Sequence, residues 1–133
     1  MWPPPVEDIA AVFRAAGTEA RLEELADGER SFPGPFVRAE AVACDGRVVV
    51  ALVPADRETD ADRLAAAAHC RAVSAARMPP FPYRDAKVLI ERLLLGEQIV
   101  WIEAGTPRHA AALSPSQLAR LVQAEPADLL AEG

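Results

Sequence analysis

Asp45-Gly46 stands between two apolar runs, FVRAEAVAC before it and RVVVALVP after it. An Asp-Gly pair accepts the left-handed backbone angles of a two-residue turn whose twist matches that of the strands it joins. The pattern predicts an antiparallel hairpin, Phe36 to Ala43 against Arg47 to Val53, with a common buried side and a place inside a mixed sheet. Two strands alone cannot shield such a face from water, so the rest of the chain must supply covering layers.

Arg38 breaks the apolar run at the hairpin's entrance, directly after Phe36 and Val37. Its structural reading is an arginine at a sheet edge, with the stem over apolar surface and the head in water. Its functional reading is a planar fork of donors aimed at an anion or at developing negative charge. Arginine stays protonated, so it is no general base.

The covering layers can be read from periodicity. After an extended lead-in, Met1 to Pro5, the segment VEDIAAVFRAAG places Val6, Ile9, Ala10, Phe13 and Ala16 on one helical face, and Gly17 is suited to stop it. TEARLEEL reads as a short strand with Leu22 and Ala20 inward. DADRLAAAAHC reads as a helix capped by Asp60 or Asp62, burying Leu64, Ala67 and Ala68. RAVS returns to the sheet, KVLI is a strand, and ERLLLGE is a turn or short helical piece. QIVWIEAG is a strand ending at Gly105, with TPRHAAAL as its hairpin partner. Ser114 caps a helix over SPSQLARLVQA with Pro115 in its first turn, where no amide is needed, and PADLL closes the core.

Helices interrupt these strands without regular βαβ spacing, which predicts an α+β fold rather than a doubly wound parallel sheet. A length of 133 residues, 51% of them hydrophobic, suits one core and a single domain over 1–133. The formal net charge of -6 gives no overall attraction to nucleic acid but leaves room for a local basic groove, for which Arg14, Arg38, Arg57, Arg77, Arg84 and Arg108 are candidates. The N-terminus lacks the basic start and long apolar run of a signal peptide, and the apolar runs are too short to span a membrane; a soluble cytoplasmic protein is expected.

Conventional site motifs are missing. There is no GxSxG elbow, HExxH pair, phosphate loop or dinucleotide glycine signature. Cys44 and Cys70 form neither a CxxC pair nor a dense disulfide framework; Cys44 is expected to pack in the core, and His69-Cys70 to close a helix. His69 and His109 are too isolated to mark a metal set, and Asp56, Asp60 and Asp62 are explained by capping and solvation.

Distant segments taken together resemble the YbaK-like, or prolyl-tRNA-synthetase-associated, editing-domain family. They are the first helix and strand, then FVRAEAVACDGRVVVALVPADRETDADRLAAAAHC, a proline loop, and VWIEAGTPRHAAALSPSQLARL. The resemblance implies an α+β domain with a mixed, barrel-like central sheet and surrounding helices, hydrolysing a mischarged aminoacyl-tRNA ester in trans. It implies aminoacyl-tRNA as partner, an aminoacyl-tRNA synthetase or other translation protein as a further one, and no cofactor, metal or membrane. By the same resemblance Arg38 falls where the family commonly has a lysine, and Gly105 at the glycine after the final apolar strand. His109 is an accessory proton-transfer candidate. Substrate contacts would come from Arg38, Pro79, Pro80, Phe81 and Thr106. The loop ARMPPFPYRD departs from the family by lacking glycine and carrying Pro82 after Phe81. A noncatalytic aminoacyl-tRNA or nucleotide-binding domain and a protein-interaction domain are the alternatives.

Overall fold

The computed structural model describes residues 1–29 and 31–132. Helix α1 (Pro4–Ala16) starts inside the expected lead-in, because Pro4 and Pro5 occupy first-turn positions whose amides have no helical partner. It buries Val6, Ala10 and Phe13, whereas Ala16, expected inward, is exposed at the helix's last position. Gly17 stops it in the left-handed region at φ 66°, with the Gly17 and Thr18 amides bonded to Arg14 and Phe13 carbonyls. Strand β1 (Arg21–Glu24) follows.

The hairpin forms from β2 (Phe36–Cys44) and β3 (Arg47–Pro54), in register from Val37 opposite Pro54 to Cys44 opposite Arg47. Asp45 and Gly46 both carry positive φ, 51° and 80°, as the two-residue turn requires. The common buried side is only half of the outcome. Val49 to Val53 are buried without a break, because β3 lies between β2 and β5 (Lys87–Glu91) and is covered on both faces. Each such valine or leucine withdrawn from water contributes roughly 1.5–3 kcal/mol before chain entropy is set against it.

Helix α2 (Ala61–Ala67) is capped by Asp60, whose side chain accepts from the Arg63 amide. Two-residue β4 (Ser74–Ala75) pairs with β2, and a short 3-10 helix (Arg92–Gly96) follows β5. Strands β6 (Val100–Glu103) and β7 (His109–Leu113) form the second hairpin, and α3 (Pro115–Val122) starts with the Ser114 cap. The expected closing turn is instead β8 (Glu125–Ala127), parallel to β5. No helix is long and apolar enough to cross a membrane among the described residues.

The ladders run β1-β7-β6-β2-β3-β5-β8, with β4 beside β6 on the same edge of β2. Among the described residues this mixed path has two ends, β1 and β8. One core layer joins Phe13 of α1 and Leu118 and Val122 of α3 to Val37, Leu52, Val88, Ile90 and Ile102 of the sheet. The opposite layer joins Leu64 and Ala68 to Val42, Val49, Ala51 and Val53, sealed by Leu129 and Leu130.

A buried carboxylate fastens that seal. Glu91 accepts from the Leu93 amide at 2.7 Å and the Leu129 amide at 2.8 Å, tying the end of β5 to the 3-10 turn and the C-terminal tail. Cys44 and Cys70 are disulfide-bonded rather than separate packing residues. The last residue of β2 and the end of α2 converge to a Cα separation of 5.9 Å, a distance a disulfide can bridge, which their 26-residue separation in sequence does not reveal.

Candidate functional site

Strand β2 is paired by β3 along one edge from Val37 to Cys44, but only in part along the other. Strand β6 pairs parallel with Phe36 and Val37, and β4 pairs with Val42 and Ala43. The Ala55 amide bonds to the Phe36 carbonyl, so alternation directs the backbone groups of even-numbered β2 residues toward β3 and those of odd-numbered residues away. The backbone N–H and C=O of Ala39 therefore face an edge that neither β6 nor β4 covers.

A cavity of about 410 Å³ opens at this edge. Val37, Ala39, Leu52 and Ile102, with Ile9 of α1, give it an apolar floor. Phe36, Arg38 and Glu103 line it from the other face of the sheet, and Met78, Pro79, Phe81, Tyr83 and Gly105 complete it. Four of the residues singled out from sequence, Arg38, Pro79, Phe81 and Gly105, thus line one cavity. Pro80, Thr106 and His109 are not among its lining residues.

Arg38 borders the cavity in a particular way. It sits opposite Val53, so its side chain leaves the strand on the Val42 and Val53 face, away from the apolar floor. One guanidinium nitrogen donates to the Arg57 carbonyl at 2.9 Å and another lies 3.8 Å from Glu40, which itself accepts from the Thr59 hydroxyl at 2.7 Å. The arginine at the hairpin's entrance is held by protein partners, with about a third of its side chain exposed.

The proline loop reaches a left-handed angle without glycine. Tyr83 has φ 63°, its amide donating to the Pro80 carbonyl at 2.8 Å, and its ring meets Phe81 edge to face at 5.5 Å. Phe81 in turn packs on Phe13 of α1. A bulky residue at positive φ is costly and persists where its surroundings hold it. Tyr83 also lines a larger cleft of about 630 Å³, shared with Arg84 and Lys87, and so forms a wall between two openings.

Burial, and secondarily the Glu103 carboxylate, pushes the Tyr83 phenol up from 10.0 to about 12. Its neutral form is the one favoured in the folded protein, so the stability it contributes is fully present below pH 10.0 and is lost as pH rises through about 12. Tyr83 is the only tyrosine. A spectrophotometric phenolate titration is expected to give one transition near the raised value in folded protein and an ordinary one in denaturant; matching transitions would contradict the buried phenol.

Gly105 has both a conformational and a steric requirement. Its φ is 93°, and a Cβ there would lie 2.6 Å from the Pro5 carbonyl carbon and oxygen and 2.9 Å from the Val6 amide nitrogen. The start of α1 rests directly on this backbone. Beyond it, the Thr106 hydroxyl accepts from the Arg108 amide and bonds to Nδ1 of His109. The other ring nitrogen, Nε2, is buried and lies 3.4 Å from a Glu24 carboxylate oxygen without hydrogen-bond geometry. His109 is buried, and the Trp2 ring stands edge-on to it at 5.6 Å. Thr106 and His109 therefore hold the β6–β7 turn, and Arg108 is bonded to the Leu25 and Ala26 carbonyls.

Sequence reasoning missed the apolar floor and Glu103. The floor was present as the alternate residues flanking Arg38, and Glu103 as the single acid closing the apolar strand VWIE.

No protein-family model matches the sequence, and no curated protein matches it. Solved structures do match its fold. A scaffold protein from a computational epitope-grafting study superposes with a TM-score of 0.85 at 18% identity, covering 99% of this chain and 100% of that one. A candidate trans-editing enzyme for prolyl-tRNA synthetase superposes with a TM-score of 0.83 at 18% identity, over 99% and 100% of the two chains. A hypothetical protein matches with a TM-score of 0.77 at 18% identity, over 92% and 99%. Likeness at this identity speaks to fold alone: the chain shares with these structures a mixed α+β fold, a central multi-stranded sheet flanked by helices.

Proposed function

We propose that the protein hydrolyses an aminoacyl-tRNA ester in trans, removing a small, wrongly attached amino acid. The cavity at the open edge of β2 carries this reading, because it joins an apolar floor to unpaired main-chain groups, a cation and a carboxylate in one recess. The fold shared with a candidate trans-editing enzyme supports it. A small side chain would occupy the floor over Val37, Leu52 and Ile102. Water would attack the ester carbonyl while the Ala39 amide stabilises the oxyanion, since a preorganised donor at a water-poor edge is most effective where charge develops. The neighbouring ribose hydroxyl would relay a proton from the attacking water to the ribose oxygen that departs as the carbonyl–oxygen bond breaks, leaving the free amino acid and the tRNA. Arg38, anchored by Glu40 and the Arg57 carbonyl, would set the position of the terminal nucleotide at the rim.

Under this reading, initial-rate deacylation with a responsive mischarged tRNA is expected to show kcat/KM lowered by roughly ten- to a hundredfold in Arg38→Ala. Arg38→Lys is expected to lose less, because it keeps the charge and lacks only the fork. Matched melting midpoints separate this effect from a damaged fold, and an unchanged Arg38→Ala rate would remove Arg38 from the mechanism. Binding without turnover is the second reading, favoured by the absence of histidine and cysteine from the cavity lining among the described residues. Direct tRNA binding with no acceleration of ester hydrolysis would select it.

A further inference from the structure

The cleft of about 630 Å³ on the other side of Tyr83 shares only that residue with the cavity at the β2 edge. Its walls come from the ends of α1 and α3, with Val12, Ala15 and Leu121, and its base is the start of β5. The backbone there has an open position. Odd-numbered residues of β3 bond to β2, so its even-numbered residues turn to β5 and the odd-numbered residues of β5 turn back to β3. Val88 and Ile90 therefore turn toward β8, an orientation that Pro126, opposite Ile90, also requires because it has no N–H to offer β5. But β8 begins opposite Leu89. The N–H of buried Val88 is left with no strand beside it, and the Gln123 carbonyl, next in line for the ladder, is not bonded to it.

Positive charge gathers at the same place. In a chain of net charge -6, the cleft is lined by Arg84 and Lys87 against one acid, Glu125. Lys87 is engaged by Glu125 at 3.4 Å, whereas exposed Arg84 forms no ion pair among the described residues. We propose that this cleft binds a small monocarboxylate with an apolar tail, its oxygens taken by the Val88 amide and the Arg84 guanidinium and its tail lying between α1 and α3. The inference is independent of the ester-hydrolysis reading. An ionised carboxylate carries acceptors only, and a desolvated amide beside a guanidinium fork supplies the donors it needs. Its tail meets Val12, Ala15 and Leu121, apolar surface that a fully polar anion would leave unmatched. A phosphate dianion fits less well. Both α1 and α3 end at the cleft, and the partial negative charge of their last carbonyls opposes a second charge on the ligand.

The test is a titration of the isotope-labelled full chain, followed by amide NMR, with hexanoate, hexanol and inorganic phosphate as probes. Hexanoate is expected to give saturable shifts centred on the Val88 and Ala86 amides. It should bind about tenfold more tightly than hexanol, which has the same tail and no charge. Arg84→Gln, at an exposed position without an ion pair, should weaken hexanoate by about tenfold and leave hexanol unchanged. Arg14→Gln, on α1 but outside the cleft lining, should change neither. Equal binding of hexanoate and hexanol, an unchanged hexanoate affinity in Arg84→Gln, or shifts that never saturate overturns the site. Phosphate binding as tightly as hexanoate overturns the assignment of a monocarboxylate with an apolar tail. Shifts centred on Ala39 instead of Val88 place the ligand at the β2 edge and overturn the second site as well.

Discussion

Gly105→Ala is expected to lower the unfolding free energy by about 3 kcal/mol or more, read from a shifted denaturant midpoint. Two costs combine there. The first is a φ of 93°, which an L side chain adopts with difficulty. The second is a Cβ driven to 2.6 Å from the Pro5 carbonyl, where the obstacle is main chain at the start of a helix and cannot swing aside. Gly28→Ala separates the two, because Gly28 has φ 86° and nothing within 4 Å of its added Cβ. That control should lose only about 1–2 kcal/mol. Equal losses at the two glycines would refute the close packing of α1 on Gly105. Since α1 also brings Ile9 to the cavity, an inactive Gly105→Ala protein would say nothing about a catalytic glycine.

Glu91→Ala should also be damaging, at roughly 2–4 kcal/mol, because it strands the buried Leu129 amide, at about 1–3 kcal/mol, and removes the part-buried bond to Leu93, at about 1 kcal/mol. The side chain is 3% exposed and bridges Leu93 to Leu129, beneath the more exposed Arg92–Asp128 ion pair that joins the same turn and tail. Against a typical total of about 5–15 kcal/mol, the C-terminal tail would be released first. Equilibrium unfolding and amide exchange at Leu129 measure both effects. A loss below about 1 kcal/mol with Leu129 still protected would contradict the clamp.

Local features were legible in the sequence because their causes lie within a few residues. Asp45-Gly46 dictates its turn, and Gly17, Asp60 and Ser114 punctuate helices through their own backbone or side chain. Features requiring knowledge of neighbours were not. RVVVALVP looks like half of an alternating hairpin until β5 is known to lie along its other edge. Strand β8 has three residues and takes its identity from parallel pairing with β5. The site shows the same division. The residues flanking the cavity could be proposed from their order, but the side of β2 on which Arg38 projects depends on register, and His109 lies under Trp2 because α1 starts against the β6–β7 turn. Glu103 joins the cavity only once the parallel register of β6 on β2 is known.

Turnover is proposed at the open edge of β2. Its most direct test is the initial rate of deacylation across a panel of tRNAs mischarged with small amino acids, compared with uncatalysed hydrolysis. The wild-type protein is expected to accelerate release from at least one member, with Arg38→Ala slower than Arg38→Lys at matched stability. No acceleration anywhere in a broad panel would contradict the claim and leave the cavity as a binding site.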